Sequence, residues 1–454
     1  MDAPTALSDT PSLLEDAATA ALEAARAHGA DAADVVVVAA QSMSASVRLG
    51  AIEEIEHDEA SDLGLRVFAG DGQAIVSTND LSPTEVDRLA ERAVAMARSA
   101  PPDPYAGLAP QDLLARDWPD LDLYDDTRPD GDGLVERARA TEDAARAVAG
   151  VSNTKGASAS FGSSRFVLAT SAGFIGGYAS TRHSLSCSAI AGEGTGMQSD
   201  YAFSSARHVA DLETPDAVGQ EAGERAVRRL DPIKPETGPV TAVYDPRASR
   251  SLIGHLASAI NGRAIARGTS FLKDRLEKRV FAPGITITDD PLRRRGLASC
   301  PFDAEGISCQ SLELVADGVL RHWLLDTATA RQLDLKPLGH ARRGVGSPPS
   351  PGTSNLTLLP GPSSRDDLLR DVGNGIYVTS LIGMGVNMVT GDYSRGVEGF
   401  LIENGALTRP ISEATLAGNL STMFERMTPA DDLKFRFASN APTIAIEGLT
   451  LAGR

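Results

Sequence analysis

The sequence predicts an α+β protein with two domains: an N-terminal domain of duplicated helix and antiparallel-strand units, and a β-rich C-terminal domain. Two observations lead to this prediction. The order helix, strand meander, helix occurs twice before residue 231, and short β-type runs rich in glycine dominate after residue 236. Antiparallel sheets that bury one face under helices are a stable arrangement for the first pattern. The 454 residues are enough for two or three compact units with hydrophobic cores.

The first helix-meander-helix unit covers residues 8–98. Amphipathic spacing predicts a helix over residues 8–27, and Ser82 followed by Pro83 marks the start of a second helix that ends near residue 98. Between the helices, a valine run at residue 35 begins a series of short predicted strands. These strands are residues 45–49, 53–58, 62–68 and 73–78, with hairpin turns at Gly50, Gly64 and residues 70–72.

The second unit repeats this order after a segment rich in proline and aspartate. Residues 101–128 lack periodicity and are interpreted as a surface linker, which places a linker near residues 101–130. Helices are then predicted over residues 133–148 and 215–230. The strands predicted between them are residues 152–160, 165–170, 174–180 and 185–191. The two copies share element order but negligible sequence identity, so the duplication rests on that order alone.

Pro232 and Pro235 mark the predicted boundary between an N-terminal domain, residues 1–230, and a C-terminal domain, residues 236–454. The second domain opens with a strand at residues 240–244. The best-delimited helix of the chain follows, with Asp245 as its N-cap and a left-handed stop expected at Asn261-Gly262. This helix is the element around which the rest of the second domain is expected to pack.

Short strands fill the remainder of the C-terminal domain. The predicted strands are residues 284–288, 311–315, 318–324, 355–359, 376–380, 399–402 and 443–446. Asp317-Gly318 and Asn404-Gly405 have the chemistry of two-residue hairpin turns. Residues 340–362 are irregular and rich in proline and glycine, so we expect them to form a lid or a binding loop.

Charge and cysteine content exclude several classes of function. The net charge is −18 and the isoelectric point about 4.9, so nucleic acid is not expected as a partner. Three cysteines argue against a disulfide framework and for a reducing compartment. The acidic N-terminal segment has no secretory signal pattern, and no window approaches the ~18 consecutive apolar residues of a membrane span. We therefore expect a cytoplasmic protein without a membrane partner.

No motif of a hydrolytic or metal site is complete in the sequence. Zinc peptidase helices carry two histidines about one turn apart, whereas no two of the seven histidines here lie within five residues of each other. His255 alone on the Asp245 helix is typical of a packed or capping histidine. Cys300 and Cys309 have no histidine nearby and are interpreted as buried or incidental cysteines. No catalytic residue and no metal ligand is therefore predicted in this chain, and the alternative of a site assembled from residues distant in the sequence stays open.

A glycine-rich block at residues 391–405 is the more informative candidate for binding. Glycines permit a close approach of another backbone, and an alternating strand pattern follows them. Two interpretations stay open: a surface to which an extended peptide adds as a strand, or a hairpin that only turns the chain. The candidates for contact with a peptide or a partner in this block are Gly391, Asp392, Tyr393, Glu403 and Asn404.

Segments spread over nearly the whole chain carry a family resemblance. They are VRLGAIEEIEHDEASDLGLRVF from Val47, STNDLS from Ser77, NGRAIARGTSFL from Asn261, DGVLRHWLLDTATARQL from Asp317, PGTSNL from Pro351, GDYSRGVEGFLIENG from Gly391 and TLAGNL from Thr415. In this order they resemble the TldD/PmbA family, and within it the PmbA (TldE) branch. The resemblance implies a two-domain α+β protein that pairs with a TldD-type zinc peptidase subunit in a cytoplasmic heterodimer. That complex degrades or matures unstructured peptides.

The resemblance also implies where a zinc site would lie. In the TldD branch, the helix that corresponds to the Asp245 helix carries two histidines and a glutamate, and a cysteine near the C-terminus completes the site. The matching positions here are Gly254, His255 and Ser258, and no cysteine follows Cys309. The resemblance therefore implies a catalytically silent subunit without zinc, the metal being expected in the partner. Asn355, in the PGTSNL segment, joins the candidates for peptide or partner contact.

Two other functions stay open on the sequence. The chain could be an active peptidase with an unconventional site, or a regulatory binding protein of the gyrase-modulator type that the older family description suggests.

Overall fold

The computed structural model describes residues 10–454 and has the mixed helix and sheet composition that the sequence predicts. The helices are α1 (Thr10–Ala27), α2 (Pro83–Ser99), α3 (Gly131–Arg146), α4 (Pro215–Arg228), α5 (Pro246–Ala259), α6 (Gly262–Ala266), α7 (Thr327–Gln332), α8 (Arg365–Val372) and α9 (Leu420–Glu425). The first four lie within about two residues of their predicted bounds. The predicted start of the first helix, at residues 8 and 9, lies outside the described residues.

The strands in residues 10–454 form two six-stranded sheets, one in each half of the chain, together with a four-stranded and a two-stranded sheet. They are β1 (Ala32–Arg48), β2 (Ala51–Ala69), β3 (Gly72–Thr78), β4 (Val151–Thr170), β5 (Ile175–Ala191), β6 (Gln198–Ala206), β7 (Gly238–Tyr244), β8 (Ile287–Asp289), β9 (Leu312–Ala316), β10 (Val319–Leu320), β11 (Ala341–Arg342), β12 (Ser350–Pro351), β13 (Leu356–Leu358), β14 (Gly375–Ile382), β15 (Asp392–Glu403), β16 (Ala406–Asn419), β17 (Met427–Pro429) and β18 (Ile444–Ala452). Five of these strands, β6, β11, β12, β16 and β17, were not predicted from the sequence.

The first sheet has the order β3-β2-β1-β4-β5-β6, and all its neighbours are antiparallel. Each half of it is a three-strand meander flanked by two helices, and the two meanders meet where β1 pairs with β4. The predicted duplication of a helix and antiparallel-strand unit is therefore confirmed, as is the α+β fold class.

The strands of this sheet are longer than predicted. Gly64, expected in a turn, lies inside β2 and pairs with Val36 and Ser77. A side chain at this position would overlap the carbonyl oxygen of Val345, so the glycine admits a loop of the second half rather than turning the chain. The predicted break at residues 161–164 is also wrong, because pairing with β1 and β5 on both sides holds this polar stretch in the strand.

The two faces of the first sheet have different coverings. Helices α1 and α2 bury Val35 and Leu65 on one face, and α3 and α4 bury Leu185 farther along the same face. On the opposite face, Phe302 of the second half packs against the start of the sheet at Val36. The rest of that face is lined by half-buried serines of β4 and β5, which are Ser158, Ser160, Ser164, Ser180, Ser184, Ser186 and Ser188.

The segment 101–128 contains one helical turn, Gln111–Leu113, as befits an irregular connection. The prediction that this segment is a surface linker is wrong, because Leu121 and Leu123 are buried and the Ala115 N–H donates to the Gly306 carbonyl (2.8 Å). Its apolar residues pack against the second half of the chain and so join the two sheets.

The second sheet, β16-β15-β14-β7-β18-β17, closes into a barrel because β16 also pairs with β18. Strands β7 and β14 are parallel, and the other pairs are antiparallel. Helix α5 packs its apolar face into the core that this barrel forms with α9. Asn404 and Gly405 have positive φ angles of 53° and 77° in the tight turn between β15 and β16, as their chemistry predicts.

The segment 340–362, which we call the brace segment, connects the two halves of the chain. The prediction that it forms a lid is wrong. It contributes β11, β12 and β13, and its Arg343 side chain is fully buried in an ion pair with Asp34 of β1. Asp34 also accepts a hydrogen bond from Nε of Arg66 (2.9 Å), and Glu305 lies 3.9 Å from the same guanidinium. A loop held by a buried ion cluster does not open readily.

Within residues 10–454, no helix combines the length and the apolar character that crossing a membrane requires.

Candidate functional site

Helix α5 positions the residues carried over from the zinc helix of the TldD branch. The Asp245 side chain accepts a hydrogen bond from the Arg247 N–H (2.9 Å), and Pro246 occupies the first turn. Leu252 and Leu256 are fully buried in the barrel core. The helix therefore begins where the sequence predicts, and its apolar stripe fixes which side chains face the interior.

The end of α5 differs from the prediction of a left-handed stop. Asn261 instead caps α6, accepting a hydrogen bond from the Arg263 N–H (3.0 Å), and Gly262 does not have a positive φ angle. The glycine is needed because the carbonyl oxygen of Leu324 approaches it closely. Leu324 pairs with Asn261 there as an isolated bridge, and the predicted strand 318–324 ends at Leu320.

The three carried-over positions offer one imidazole. Gly254 has no side chain, and the Ser258 hydroxyl is exposed and donates to the Gly254 carbonyl (3.0 Å). His255 is half-buried, its Nε2 atom has no hydrogen-bond partner within the described chain, and its ring lies edge-on to Tyr393 at 6.2 Å. Burial, reinforced by the charge of Arg395, lowers the pKa of His255 to about 4. The imidazole is therefore neutral at physiological pH.

These residues do not fit a zinc ion. Zinc sites in proteins use three or four ligands drawn from cysteine, histidine, aspartate and glutamate. The ring beside His255 is that of Tyr393, a buried phenol whose hydroxyl lies near that of Tyr244. Ala259, the next residue on the helix after Ser258, has no side-chain atom that could bind a metal. In the part of the chain that the structure describes, no group of three histidine, cysteine, aspartate or glutamate side chains is arranged to hold a metal.

The environment of His255 gives a pH prediction. We expect its imidazole proton resonance, assigned with the His255→Phe variant, to titrate near pH 4 instead of 6.5. The unfolded state binds more protons between these pH values, so His255 lowers the stability of the protein as pH falls from 6.5 to 4. The Phe variant should therefore gain stability relative to the wild type over that range, measured by urea unfolding. A titration near pH 6.5 would contradict the buried, unpaired geometry.

The candidates in the glycine-rich block lie along β15 and do not form one cluster. Gly391, Asp392 and Tyr393 are at its start, and Glu403 and Asn404 are at its end, roughly 35 Å away at the rise of an extended strand. Tyr393 is buried beside His255, whereas Asp392 is exposed and accepts hydrogen bonds from nearby polar side chains. Only the start of β15 is thus close to α5.

The interpretation of this block as an edge for an added strand is wrong. Strand β15 pairs with β16 over nearly its whole length and with β14 from Gly396 to Ile402. At its start the loop before it takes the remaining edge, because the Ser394 N–H donates to the Gly385 carbonyl (2.7 Å). A peptide cannot add beside β15 without displacing a neighbour. The block is the hairpin that the other interpretation described.

Asn355 is placed away from β15 and inside the protein. It is 1% exposed, and its amide donates to the Asp290 carbonyl (2.7 Å) and the Ser299 hydroxyl (2.7 Å). Its carbonyl oxygen accepts from the Ala298 N–H (3.0 Å). Asn355 therefore holds two loops together. An effect of Asn355 on ligand binding would come from the positions of these two loops and not from direct contact with the ligand.

Cys300 and Cys309 are buried, as interpreted, and their sulfur atoms lie 3.8 Å apart. The hydrogen bond from Cys309, with the guanidinium of Arg342 3.0 Å from Cys300 Sγ, lowers the pKa of Cys300 to about 6. Within residues 10–454, no histidine or carboxylate joins the two cysteines in a group of three side chains that could hold a metal.

The residues that line the clefts between the halves were not singled out by sequence analysis. A cleft of about 570 Å³ lies between β6 and α4 of the first half and the start of α5 in the second. Arg247 in it binds Asp200 (2.8 Å), and Arg436 binds Glu221 (3.2 Å). The one local feature that could have indicated the clefts is the pair Arg247 and Arg250, one turn apart on α5. The residues that they contact, Asp200 and Phe437, are distant in the sequence.

Comparison with known proteins places the chain in a family. Residues 33–97 match the model of PmbA/TldA metallopeptidase domain 1, residues 124–230 match that of the central domain, and residues 237–453 match that of the C-terminal domain. The chain belongs to the PmbA/TldD metallopeptidase family. The resemblance predicted from the sequence segments is therefore confirmed.

Individual relatives of the PmbA/TldD family agree with this assignment. The chain is 37% identical to metalloprotease PmbA of Escherichia coli O157:H7 over 97% of this chain and 96% of the relative. A crystal structure of a proposed modulator of DNA gyrase from Bacteroides thetaiotaomicron is 29% identical, with a TM-score of 0.91 over 98% of this chain and 100% of that one. TldE of Thermococcus kodakarensis shares the fold at 18% identity, with a TM-score of 0.86 over 96% and 100%.

Proposed function

We propose that this chain is a catalytically silent subunit of a TldD/TldE-type metallopeptidase, and that a TldD-type partner supplies the zinc and the catalysis. The observation that carries the proposal is the donor set on α5. A zinc peptidase needs a metal-bound water and a carboxylate to take its proton. At the matching positions this chain has a glycine, a neutral half-buried histidine and a serine bonded to its own helix. These groups neither hold the metal nor accept that proton.

The proposed role is to complete a cytoplasmic peptidase that acts on unstructured peptides. Membership of a metallopeptidase family supports the reaction class, and similarity over 97% of the chain to a protein named metalloprotease supports a role in proteolysis. The clefts between the two halves, lined by charged and aromatic side chains, provide surface on which an extended peptide can lie.

The test compares the purified chain with a co-purified complex. We expect the chain alone to cleave no unstructured peptide and to contain no stoichiometric zinc. Co-expression with the TldD-type chain of the same host should give a stable heterodimer that cleaves the peptide and loses activity with a chelator. Stoichiometric zinc and chelator-sensitive turnover by the chain alone would contradict the proposal and favour an active peptidase with an unconventional site.

A triple variant is the control for the argument from the donor set. Gly254→His, His255→Glu and Ser258→His together restore donors to α5, but no cysteine follows Cys309 to complete a site. We expect this variant to remain inactive on its own. Robust hydrolysis by it would show that the rest of a functional site is present.

The regulatory alternative has a different signature. A structural relative is described as a proposed modulator of DNA gyrase, so a regulator of that type should capture gyrase in the absence of a TldD-type chain. Co-purification from the native host, with partners identified by mass spectrometry, separates the two functions.

A further inference from the structure

A second cleft, about 410 Å³ in volume, lies between the serine-lined face of the first sheet and α5. We call it the arginine pocket. Arg182 of β5 and Arg250 of α5 line it from the two halves of the chain, and Phe203 and Phe437 form apolar walls. Its volume is in the range of pockets that hold small ligands.

In the part of the chain that the structure describes, Arg182 and Arg250 lack acidic partners, whereas Arg436, which also lines the pocket, pairs with Glu213 (2.7 Å) and Glu221 (3.2 Å). No carboxylate in the described structure lies within 4.0 Å of the guanidinium of Arg182 or Arg250, and Arg207 beside them donates to the carbonyl oxygens of Thr181, Gly296 and Leu297. Burial, with the nearby charge of Arg182, lowers the pKa of Arg207 to about 10. Burial also lowers the pKa of Arg250.

Two buried arginines elsewhere in the protein pair with carboxylates, in contrast to the half-buried Arg250. Arg66 pairs with Asp34, and Arg247 pairs with Asp200. Two like charges that face one pocket repel each other, and the half-buried Arg250 is also partly removed from water without a counterion. A bound anion would supply the missing charge, and arginine guanidinium groups bind carboxylates with two parallel hydrogen bonds.

The residues that form the walls of the pocket indicate which class of anion binds there. Phe203 and Phe437 lie 5.1 Å apart, and the Arg250 guanidinium stacks over the Phe437 ring at 4.1 Å, which fixes its orientation. Ser205 and Ser251 add hydroxyl groups. A ligand that combines a carboxylate with an apolar side chain uses both the charges and the rings. Inorganic phosphate uses the charges alone, and a net charge of −18 disfavours nucleic acid.

We propose that the arginine pocket binds the free C-terminal carboxylate of a peptide that ends in an apolar residue. The ligand class rests on the proposed function, because it takes the substrate to be a peptide. The carboxylate binds between Arg182 and Arg250, and the terminal side chain packs on Phe203 and Phe437. The rest of the peptide then leads away along the cleft between the two halves.

The test measures binding of a dye-labelled pentapeptide that ends in leucine to the purified chain by fluorescence anisotropy. The free acid should bind roughly tenfold more tightly than the C-terminal amide, the effect of one charge-assisted hydrogen bond. Arg182→Ala combined with Arg250→Ala should abolish this difference. Arg182→Ala alone, at an exposed position, should reduce it without any risk to folding. Arg92→Ala, an exposed arginine of α2, is the matched control and should leave it unchanged.

Three results would overturn the proposal: no binding of the free acid, equal affinity of acid and amide, or inorganic phosphate that competes as well as the peptide. None of them bears on catalytic silence, because the measurement requires no cleavage. Cleavage of the probe by the chain alone would instead contradict the silent-subunit proposal and leave the carboxylate site standing.

Discussion

Replacing Asp34 with asparagine is expected to lower the free energy of unfolding by about 3–5 kcal/mol, the cost of leaving a buried charge without its partner. Asp34 is 1% exposed and lies between the guanidinium groups of Arg66 and Arg343. Asparagine has nearly the same shape but no charge, so two buried cations would lose their counterion. The variant therefore weakens the contact between β1 and the brace segment 340–362, and with it the attachment of the two halves to each other.

The pH dependence of this effect has a definite sign. Burial alone would raise the pKa of Asp34, but Arg343 and Arg66 outweigh burial and hold it below 3.8. The contribution of Asp34 is therefore complete above pH 3.8 and is lost as pH falls through the folded pKa. The wild type and Asp34→Asn should converge in stability at low pH.

Urea unfolding followed by tryptophan fluorescence measures the loss, since Trp118 and Trp323 report on separate parts of the chain. Glu236→Gln, which removes an exposed partner of Arg454, is the control and should change stability by no more than about 0.5 kcal/mol.

Burial raises the pKa of Glu305 to about 7, so Glu305 can ionise in the Asp34→Asn variant and offset part of the loss of stability. The double variant with Glu305→Gln should therefore lose more than the sum of the two changes. A loss below 1 kcal/mol in Asp34→Asn would contradict the ion-cluster account.

Local signals in the sequence were enough to find the helices. Ser82 with Pro83, and Asp245 with Pro246, mark helix starts that the structure reproduces. The strands were harder, because serine and glycine have low β propensity and residues 161–164 therefore resemble a break. In the structure that stretch is held by two neighbouring strands, whose register a local pattern does not contain.

Local sequence patterns are also of limited use for locating the candidate sites. The degenerate positions Gly254, His255 and Ser258 were identified from the family resemblance, which could be carried over residue by residue because all three lie on one helix. The arginine pocket was missed because Arg182 and Arg250 come from different halves and meet only through the packing of the two sheets. The single sequence therefore indicated which chemistry is missing from α5, and the tertiary structure was needed to show which charges come together.

Truncating Phe302 to alanine is expected to destabilise the protein by about 3–5 kcal/mol, the usual cost of removing a buried aromatic ring. Phe302 is 1% exposed, and its ring packs against Trp118 (4.9 Å), Phe174 (5.0 Å) and Tyr178 (5.7 Å). It belongs to the second half of the chain, whereas these partners belong to the connecting segment and the first sheet. The cavity would therefore open at the contact that aligns the two halves.

This location gives Phe302→Ala a signature that a loss of general stability lacks. Trp118 loses a ring partner, so its fluorescence should change in the native state, and trypsin should cleave the segment 101–128 faster before global unfolding. Phe435→Ala, which removes a ring that is 53% exposed, is the control and should change neither. The two arginines proposed to bind the carboxylate, Arg182 and Arg250, come from different halves, so the acid-over-amide preference should also weaken in Phe302→Ala at temperatures where it remains folded. An unchanged rate of trypsin cleavage would show that the halves are held in register by other contacts.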